Sequence, residues 1–240
     1  MAGKNYYLLS FLSTPEALGA EPPILCGDFL QHLDENVQPR PRELAETIFL
    51  SDDLLQRDAA MAGEIAEPEP VVLTADQARG EEPLSDFLAA LMEDAGAETQ
   101  RIAADAVWDA YFRHAAAVAN RLGSAFLRAW VGYEVALRNA LAEARARSLG
   151  LEPTDYYVAA DLAEASDLSA TVNEWSAAGN PLQAQRVLDQ ARMDWLNEND
   201  AYFSFGDDEL AAHAAKLILS VRWHRLTRAM EGKDAEEGNR

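Results

Sequence analysis

The chain has 240 residues, of which 49% are apolar, so it can bury a hydrophobic core of domain size. Its net charge of −21 at pH 7 repels nucleic-acid phosphates and anionic membrane surfaces, which argues against both as direct partners and favours basic proteins. The acidic excess is greatest in residues 1–120, which hold 22 acidic and 7 basic side chains. Cys26 is the only cysteine, as expected for a reducing cytoplasm, and no apolar run reaches the roughly 18–20 residues that span a bilayer.

The first segment, 1–63, is predicted to be helical. Its apolar run at 6–12 fits either a buried helix or a buried strand, because periodicity does not distinguish them over so short a length. An amphipathic pattern predicts one helix over 28–37 and a second from near Arg42. The Ser-Asp-Asp sequence at 51–53 is expected to end that second helix and to cap another short one.

The next segment, 64–83, is expected to be an acidic surface loop or linker. It contains three prolines and several carboxylates, which argue against a packed helix. Three apolar residues at 71–73 are compatible with one short strand. The remaining residues are divided into a main helical domain, 84–231, and a charged tail, 232–240.

The clearest helical pattern runs from about Thr99 to Leu149, where apolar residues recur at steps of three and four. The pattern changes phase around Gly123, so we expect a kink or a break between two helices at this glycine. Gly150 follows the last periodic residue and is expected to cap the C-terminus of the second helix.

Shorter helices are predicted after this stretch. One is expected over 155–165 and another over 170–177. Asn180 and Pro181 are typical of an N-cap followed by the first residue of a helix. Asp207 is expected to cap the last helix, whose first turn is rich in the carboxylates that the positive helix end favours. Together these patterns predict an all-α, multi-helix bundle.

No residue pattern is typical of a catalytic, cofactor or metal site. The chain has no glycine-rich phosphate loop, no zinc-type cysteine or histidine spacing, and no local signature of a nucleophile with its base. We interpret the histidines as structural and the acidic pairs at 52–53 and 207–208 as helix caps. We therefore predict a protein that is not an enzyme, with no catalytic, cofactor-binding or metal-ligating residues.

Five residues on the predicted helices are candidates for interaction with another protein. Glu134 lies one turn after Trp130 and one turn before Arg138, beside the apolar stripe. Such a Glu–Arg pair is usually a surface contact worth a few tenths of a kcal/mol, but here it borders a helix–helix seam. Arg222 and Arg225 are likewise placed among apolar residues of the last helix. Catalysis at Glu134 is a third hypothesis, and it requires an open pocket around the carboxylate.

Several stretches resemble one known family. They are Tyr6–Ser10, Pro22-Pro23, Phe29-Leu30, Phe126–Leu141, Ala144–Gly150, Asn180–Leu182, Arg186–Asp189, Tyr202–Asp207 and Leu217–Leu226. In these stretches the chain is similar to a bacterial family encoded within V/A-type ATPase operons. That family is in turn similar to the C/d-type subunit of the rotary ATPases, which is named d in eukaryotic enzymes.

The resemblance implies an all-α fold built from repeated helical units, which seats on the membrane rotor ring and receives the central stalk. It implies stalk and ring subunits as partners, no cofactor, and a cytoplasmic location peripheral to the inner membrane through those partners. The chain is shorter than the C/d-type subunit of the archaeal-type enzymes. We therefore do not expect it to contain that subunit's full set of repeats. The alternative is a free-standing acidic regulator or assembly factor that binds a basic protein.

Overall fold

The computed structural model describes residues 5–36 except 14 and 16, residues 39–90 except 87, and residues 103–237. Regular structure in these residues is helical, and no strand occurs among them, which confirms the all-α prediction. The helices include α1 (Tyr6–Phe11), α2 (Cys26–Asn36), α3 (Pro39–Met61), α4 (Ala75–Arg79), α5 (Ala103–Leu122), α6 (Ala125–Leu149), α7 (Ser169–Ala177), α8 (Pro181–Asn199) and α9 (Asp207–Glu237).

These helices form two compact units. The terminal unit combines the described residues up to Phe49 with those from Leu188 onward, and the middle unit runs from Leu50 to Val187. The boundaries of the segments predicted from the sequence differ from the boundaries of these two units, because sequence patterns indicate where helices end. The units instead divide within α3 and within α8.

The two ends of α3 differ from the sequence prediction. The helix begins at Pro39 rather than near Arg42. A proline is tolerated in the first turn because the backbone N–H groups there have no partner within the helix. It then continues through 51–53 to Met61, so the predicted break is wrong. The apolar run at 6–12, for which two structures were possible, is helical in α1.

Asp53 explains why the acidic pair in α3 does not act as a helix cap. Its fully buried carboxylate accepts the backbone N–H groups of 71–73 at 2.6 to 3.0 Å. The strand suggested at 71–73 is therefore wrong, since these N–H groups converge on one side chain instead of pairing with a neighbouring strand. The loop over 64–83 also contains the short helix α4, which its proline content had argued against.

Helices α5 and α6 pack against each other and form the centre of the middle unit. They are separated at Gly123, which has a φ of 64° that favours glycine, and the Ser124 hydroxyl accepts the N–H of Leu127 at 3.1 Å to cap α6. The predicted break and the predicted cap at Gly150, with its φ of 70°, are both confirmed. The predicted start near Thr99 lies outside the described residues.

The helix predicted over 155–165 is wrong. Only two short 3-10 segments occur there, at Pro153–Tyr156 and Ala160–Leu162. The peptide groups between them are bound by buried side chains of the long helices, Asn139 and Asp109, at 2.9 to 3.0 Å. Because these bonds hold the backbone in a non-helical form, local helix propensity does not decide the structure of this segment.

Helix α9 is the core of the terminal unit. Residues 210–220 are buried on every side of the helix, and Phe29 of α2 packs on Phe49 and on His213 of α9. The predicted cap at Asp207 is wrong, because Asp207 is the first residue of α9 itself and its carboxylate accepts hydrogen bonds from Asn5 and Arg40. The predicted charged tail is helical as far as Glu237, and its last three residues lie outside the described part of the chain.

Candidate functional site

The buried stretch of α9 contains polar side chains that a simple core would not hold. His213, Lys216 and Ser220 interrupt an otherwise apolar sequence, and the Lys216 side chain is 0% exposed. A buried ammonium group costs several kcal/mol unless a counter-charge and hydrogen bonds compensate for lost water. The surroundings of Lys216 therefore form the candidate functional site.

Asp200 supplies the counter-charge of Lys216. The Lys216 Nζ atom donates to Asp200 Oδ2 at 2.7 Å and lies 4.7 Å from the centre of the Tyr202 ring, a cation–π geometry. Burial raises the pKa of the Asp200 carboxyl above its usual value, while the bond from Lys216 opposes this rise. The second oxygen, Asp200 Oδ1, is buried and has no hydrogen-bond partner in the described part of the chain.

His213 lies one turn before Lys216 on α9. Its ring stacks on Phe29 with centroids 5.3 Å apart, and its buried Nε2 atom makes no hydrogen bond to any residue that the structure describes. Burial lowers the pKa of His213 to about 4, and the nearby Lys216 charge acts in the same direction. The imidazole is therefore neutral near pH 7.

A strained loop, residues 202–206, precedes α9 and lies beside these groups. Phe203 and Phe205 have φ values of 61° and 51°, in the left-handed region that costs a non-glycine residue about 1–2 kcal/mol. The Glu209 carboxylate accepts hydrogen bonds from both of their N–H groups, at 3.1 and 2.6 Å, and from the Ser204 hydroxyl at 3.2 Å. Glu209 therefore holds the loop in a conformation that its sequence alone disfavours.

Several of these residues line a partly open cavity of about 410 Å³ in the terminal unit. Asp200, His213 and Lys216 line it, together with residues of α1 and the aromatic rings of the strained loop. The volume falls within the roughly 300–1,000 Å³ of typical binding cavities. The lining thus combines two residues that hold buried, unsatisfied polar atoms, Asp200 and His213, with apolar and aromatic side chains.

Exposed aromatic side chains occur on α1 and in the strained loop, and three of them, Tyr6, Tyr202 and Phe203, line the cavity, whereas Tyr7 and Phe11 lie outside its lining. We call all of these exposed side chains the aromatic face; they are Tyr6, Tyr7, Phe11, Tyr202 and Phe203, with exposed fractions between 47% and 81%. The Tyr6 ring lies 4.8 Å from the Phe205 ring, so α1 and the loop are in direct contact. Clustered exposed aromatic groups are typical of surfaces that bind another molecule.

Three of the sequence-predicted interaction residues lie on α6 of the middle unit. Trp130 is buried, and Glu134 is half-buried and does not line the cavity of the terminal unit. The Arg138 guanidinium lies 4.7 Å from the Trp108 ring and 3.6 Å from Asp105. Burial lowers the pKa of Arg138, and the charges of Asp105 and other nearby carboxylates oppose this effect.

The other two predicted residues, Arg222 and Arg225, lie on α9 of the terminal unit. Arg222 binds the fully buried Asp189 at 3.1 Å, and Asp189 also accepts bonds from Arg192 and Trp223 at 3.0 Å each. Arg225 is half-buried. The five predicted residues are thus divided between the two units, and their role in binding stays a prediction.

Neither the cavity nor the aromatic face was predicted from the sequence. One available signal was Lys216, which lies within a run of apolar residues long enough to be buried on all sides. A second was the aromatic cluster over 202–205, immediately before the acidic first turn of α9. Neither signal identifies α1 as the other side of the site, because α1 is nearly 200 residues away in the sequence.

Within the described ranges, no group of three or more His, Cys, Asp or Glu side chains is arranged to hold a metal ion. No helix in these ranges combines the length and apolar character that crossing a membrane requires. No family model, curated protein or solved structure matches this chain.

Proposed function

We propose that this protein is a non-catalytic subunit or assembly component of a V/A-type rotary ATPase, which couples the central stalk to the membrane rotor ring. One observation carries the proposal. Two of the segments that resemble the family of the V/A-type operons, 6–10 and 202–207, come together in the terminal unit and supply most of the aromatic face. The residues that carry the resemblance thus contribute a surface suited to binding.

The aromatic face has the properties of a protein-binding surface. Aromatic side chains bury a large area while only two side-chain torsions become fixed, and they are enriched at the centres of protein interfaces. Beneath them, Glu209 fixes the strained loop and the Lys216–Asp200 pair fixes the underlying helix. A partner therefore meets a preorganised surface, which lowers the entropy lost on binding.

The partners in this proposal are the stalk and rotor-ring subunits, and the chemistry of ATP takes place elsewhere in the complex. Densely packed helices suit a coupling role because protein interiors are stiff and transmit strain. The net charge of −21 steers the protein toward basic surfaces and away from nucleic acids. In this account the protein is cytoplasmic and reaches the inner membrane only through the rotor ring.

A second candidate function is a free-standing acidic regulator or assembly factor for a basic protein. The concentration of carboxylates in residues 1–120 favours it. Binding of this kind depends on exposed charges, whose interactions are largely screened at about 0.3 M salt. Binding through the aromatic face is far less sensitive to salt, so the two functions predict different responses.

The test is an affinity purification of the tagged full-length protein from native membranes, with proteins quantified by mass spectrometry at low salt and at about 0.3 M salt. The proposed function predicts stalk and ring subunits in matched amounts under both conditions. A basic soluble protein that is lost at the higher salt would favour the regulator. Recovery of unrelated soluble proteins alone would contradict the ATPase proposal.

A further inference from the structure

Among the residues that the structure describes, the charges in the cavity of the terminal unit do not balance. Asp200 and Glu209 are carboxylates, Lys216 supplies one positive charge, and His213 is neutral near pH 7. The three bonds that the Glu209 carboxylate accepts from the strained loop stabilise its charge. Asp200 accepts one bond from Lys216, and its Oδ1 atom remains buried without a donor from the described residues.

A second buried carboxylate in the same unit shows how such a group is satisfied. Asp189 accepts bonds from two guanidinium groups, those of Arg192 and Arg222, and from the Trp223 indole, all at 3.0 to 3.1 Å. One buried carboxylate can therefore hold two cations in this protein. Asp200 is 4% exposed and binds one cation in the described part of the chain, so it can accept a second.

We propose that this cavity receives one lysine or arginine side chain of a protein partner, whose charged end pairs with the Asp200 carboxylate. This inference rests on the proposed protein-binding function and names the chemistry of the partner. An incoming cation balances the charge of the cavity, and a rotation of the Asp200 carboxylate brings its unpaired oxygen to the cation. The aromatic rings that line the cavity attract the cation and cover the apolar stem of the side chain.

The surroundings favour a side chain over a small free cation. The aromatic face extends beyond the cavity onto α1, where Tyr7 and Phe11 are 81% and 69% exposed. A small cation would leave these rings in water, whereas a protein segment that presents a basic side chain can cover them. The net charge of −21 also accelerates encounter with a basic segment.

Site-specific photo-crosslinking tests this proposal. Phe203 lines the cavity and is 80% exposed, so it can be replaced by the photoreactive residue p-benzoylphenylalanine in the tagged full-length chain. Leu149, which is 72% exposed on the middle unit, serves as the control position. After irradiation in native membranes, mass spectrometry identifies the partner residues attached at each position.

The expected crosslinks from position 203 lie within one helical turn of a partner lysine or arginine, and those from position 149 do not. Replacing that basic residue by methionine should weaken binding to the wild-type chain at least tenfold. The same methionine substitution in the partner should have little further effect on binding to the variant Asp200→Asn/Lys216→Met, whose net charge equals that of the wild type. Circular dichroism establishes that this variant is folded.

Three outcomes would overturn the proposal: crosslinks far from any basic residue, equal weakening for the wild-type chain and the double variant, or no crosslink from position 203. The last outcome would indicate that the cavity holds only solvent. Crosslinks to basic residues of proteins outside the ATPase would support the cavity proposal while contradicting the proposed function. Crosslinks to ATPase subunits at segments far from any basic residue would support the proposed function while contradicting the cavity proposal.

Discussion

The substitution Lys216→Met tests whether the buried ion pair organises the terminal unit. Methionine has a similar length, so the packing of α9 is retained while the Asp200 carboxylate loses its buried counter-charge. Breaking a buried pair by removing one partner costs about 3–5 kcal/mol. Because domains have a free energy of unfolding of about 5–15 kcal/mol, this loss is large enough to measure and small enough for most folds to survive.

The double variant Asp200→Asn/Lys216→Met provides the comparison. It removes both charges, so we expect a free energy of unfolding within about 1–2 kcal/mol of wild type and a coupling of several kcal/mol between the two sites. Urea unfolding followed by circular dichroism measures stability. Hydrogen exchange of the α9 amides shows whether the loss occurs in the terminal unit.

The pH dependence of the single variant follows from the same reasoning. Without Lys216, burial and the nearby Glu209 charge act on Asp200 unopposed and raise its folded pKa further above the unfolded value of about 3.9. A group with a raised folded pKa stabilises the fold at low pH and loses that contribution as pH rises. The stability difference from wild type should therefore be larger at pH 7 than at pH 4. A Lys216→Met protein within about 1 kcal/mol of wild type, or a double variant as unstable as the single one, would refute the reasoning.

Three further substitutions test other parts of the structure. Phe203→Asn should raise the free energy of unfolding by up to about 1 kcal/mol in urea titrations, because asparagine tolerates positive φ, whereas Phe11→Asn within α1 should give no gain. The folded pKa of His213 is about 4, below the unfolded value of 6.5, so the neutral imidazole's stabilising contribution of roughly 3 kcal/mol is lost as the pH falls from 6.5 to 4. The variant His213→Gln should therefore show a smaller drop in urea midpoint between pH 7 and pH 4.5 than the wild type. An equal drop in the two proteins would contradict this role of His213. Asp53→Asn should cost about 2 kcal/mol and speed proteolysis within 64–74, and unchanged proteolysis would count against the anchoring role.

The positions of most helices follow from local sequence. Periodic apolar residues locate α5 and α6, and the special conformations of Gly123 and Gly150 mark where each ends. The Asn180 side chain accepts the N–H of Gln183 at 2.9 Å, as expected for the cap of α8. These signals act over one or two helical turns, so a single sequence contains them.

The errors have a common physical cause, which is a side chain that binds distant backbone. Asp53 has the sequence context of a helix cap, yet it binds N–H groups some 20 residues away. The segment 155–165 has a capping pattern, yet Asn139 and Asp109 hold its backbone in another form. Local propensity is overridden by such contacts, and they cannot be read from spacing.

The candidate site was beyond sequence reasoning for the same reason. Its two halves, α1 and the loop before α9, are separated by nearly the whole chain. The burial of Lys216 could be suspected from its apolar neighbours, but its pairing with Asp200 depends on the fold of the strained loop. The resemblance pointed to both halves as segments without indicating that they meet.

The most direct test of the central claim is a quantitative affinity purification that compares two matched variants with the wild type. Tyr7→Ser/Phe203→Asn alters two of the most exposed residues of the aromatic face, and Leu149→Ser alters an exposed apolar residue of the middle unit. Stalk and rotor-ring subunits should be recovered in matched amounts with the wild type and with Leu149→Ser, and at least tenfold less with Tyr7→Ser/Phe203→Asn. Equal recovery of these subunits with all three proteins, or their absence from the wild-type sample, would contradict the account.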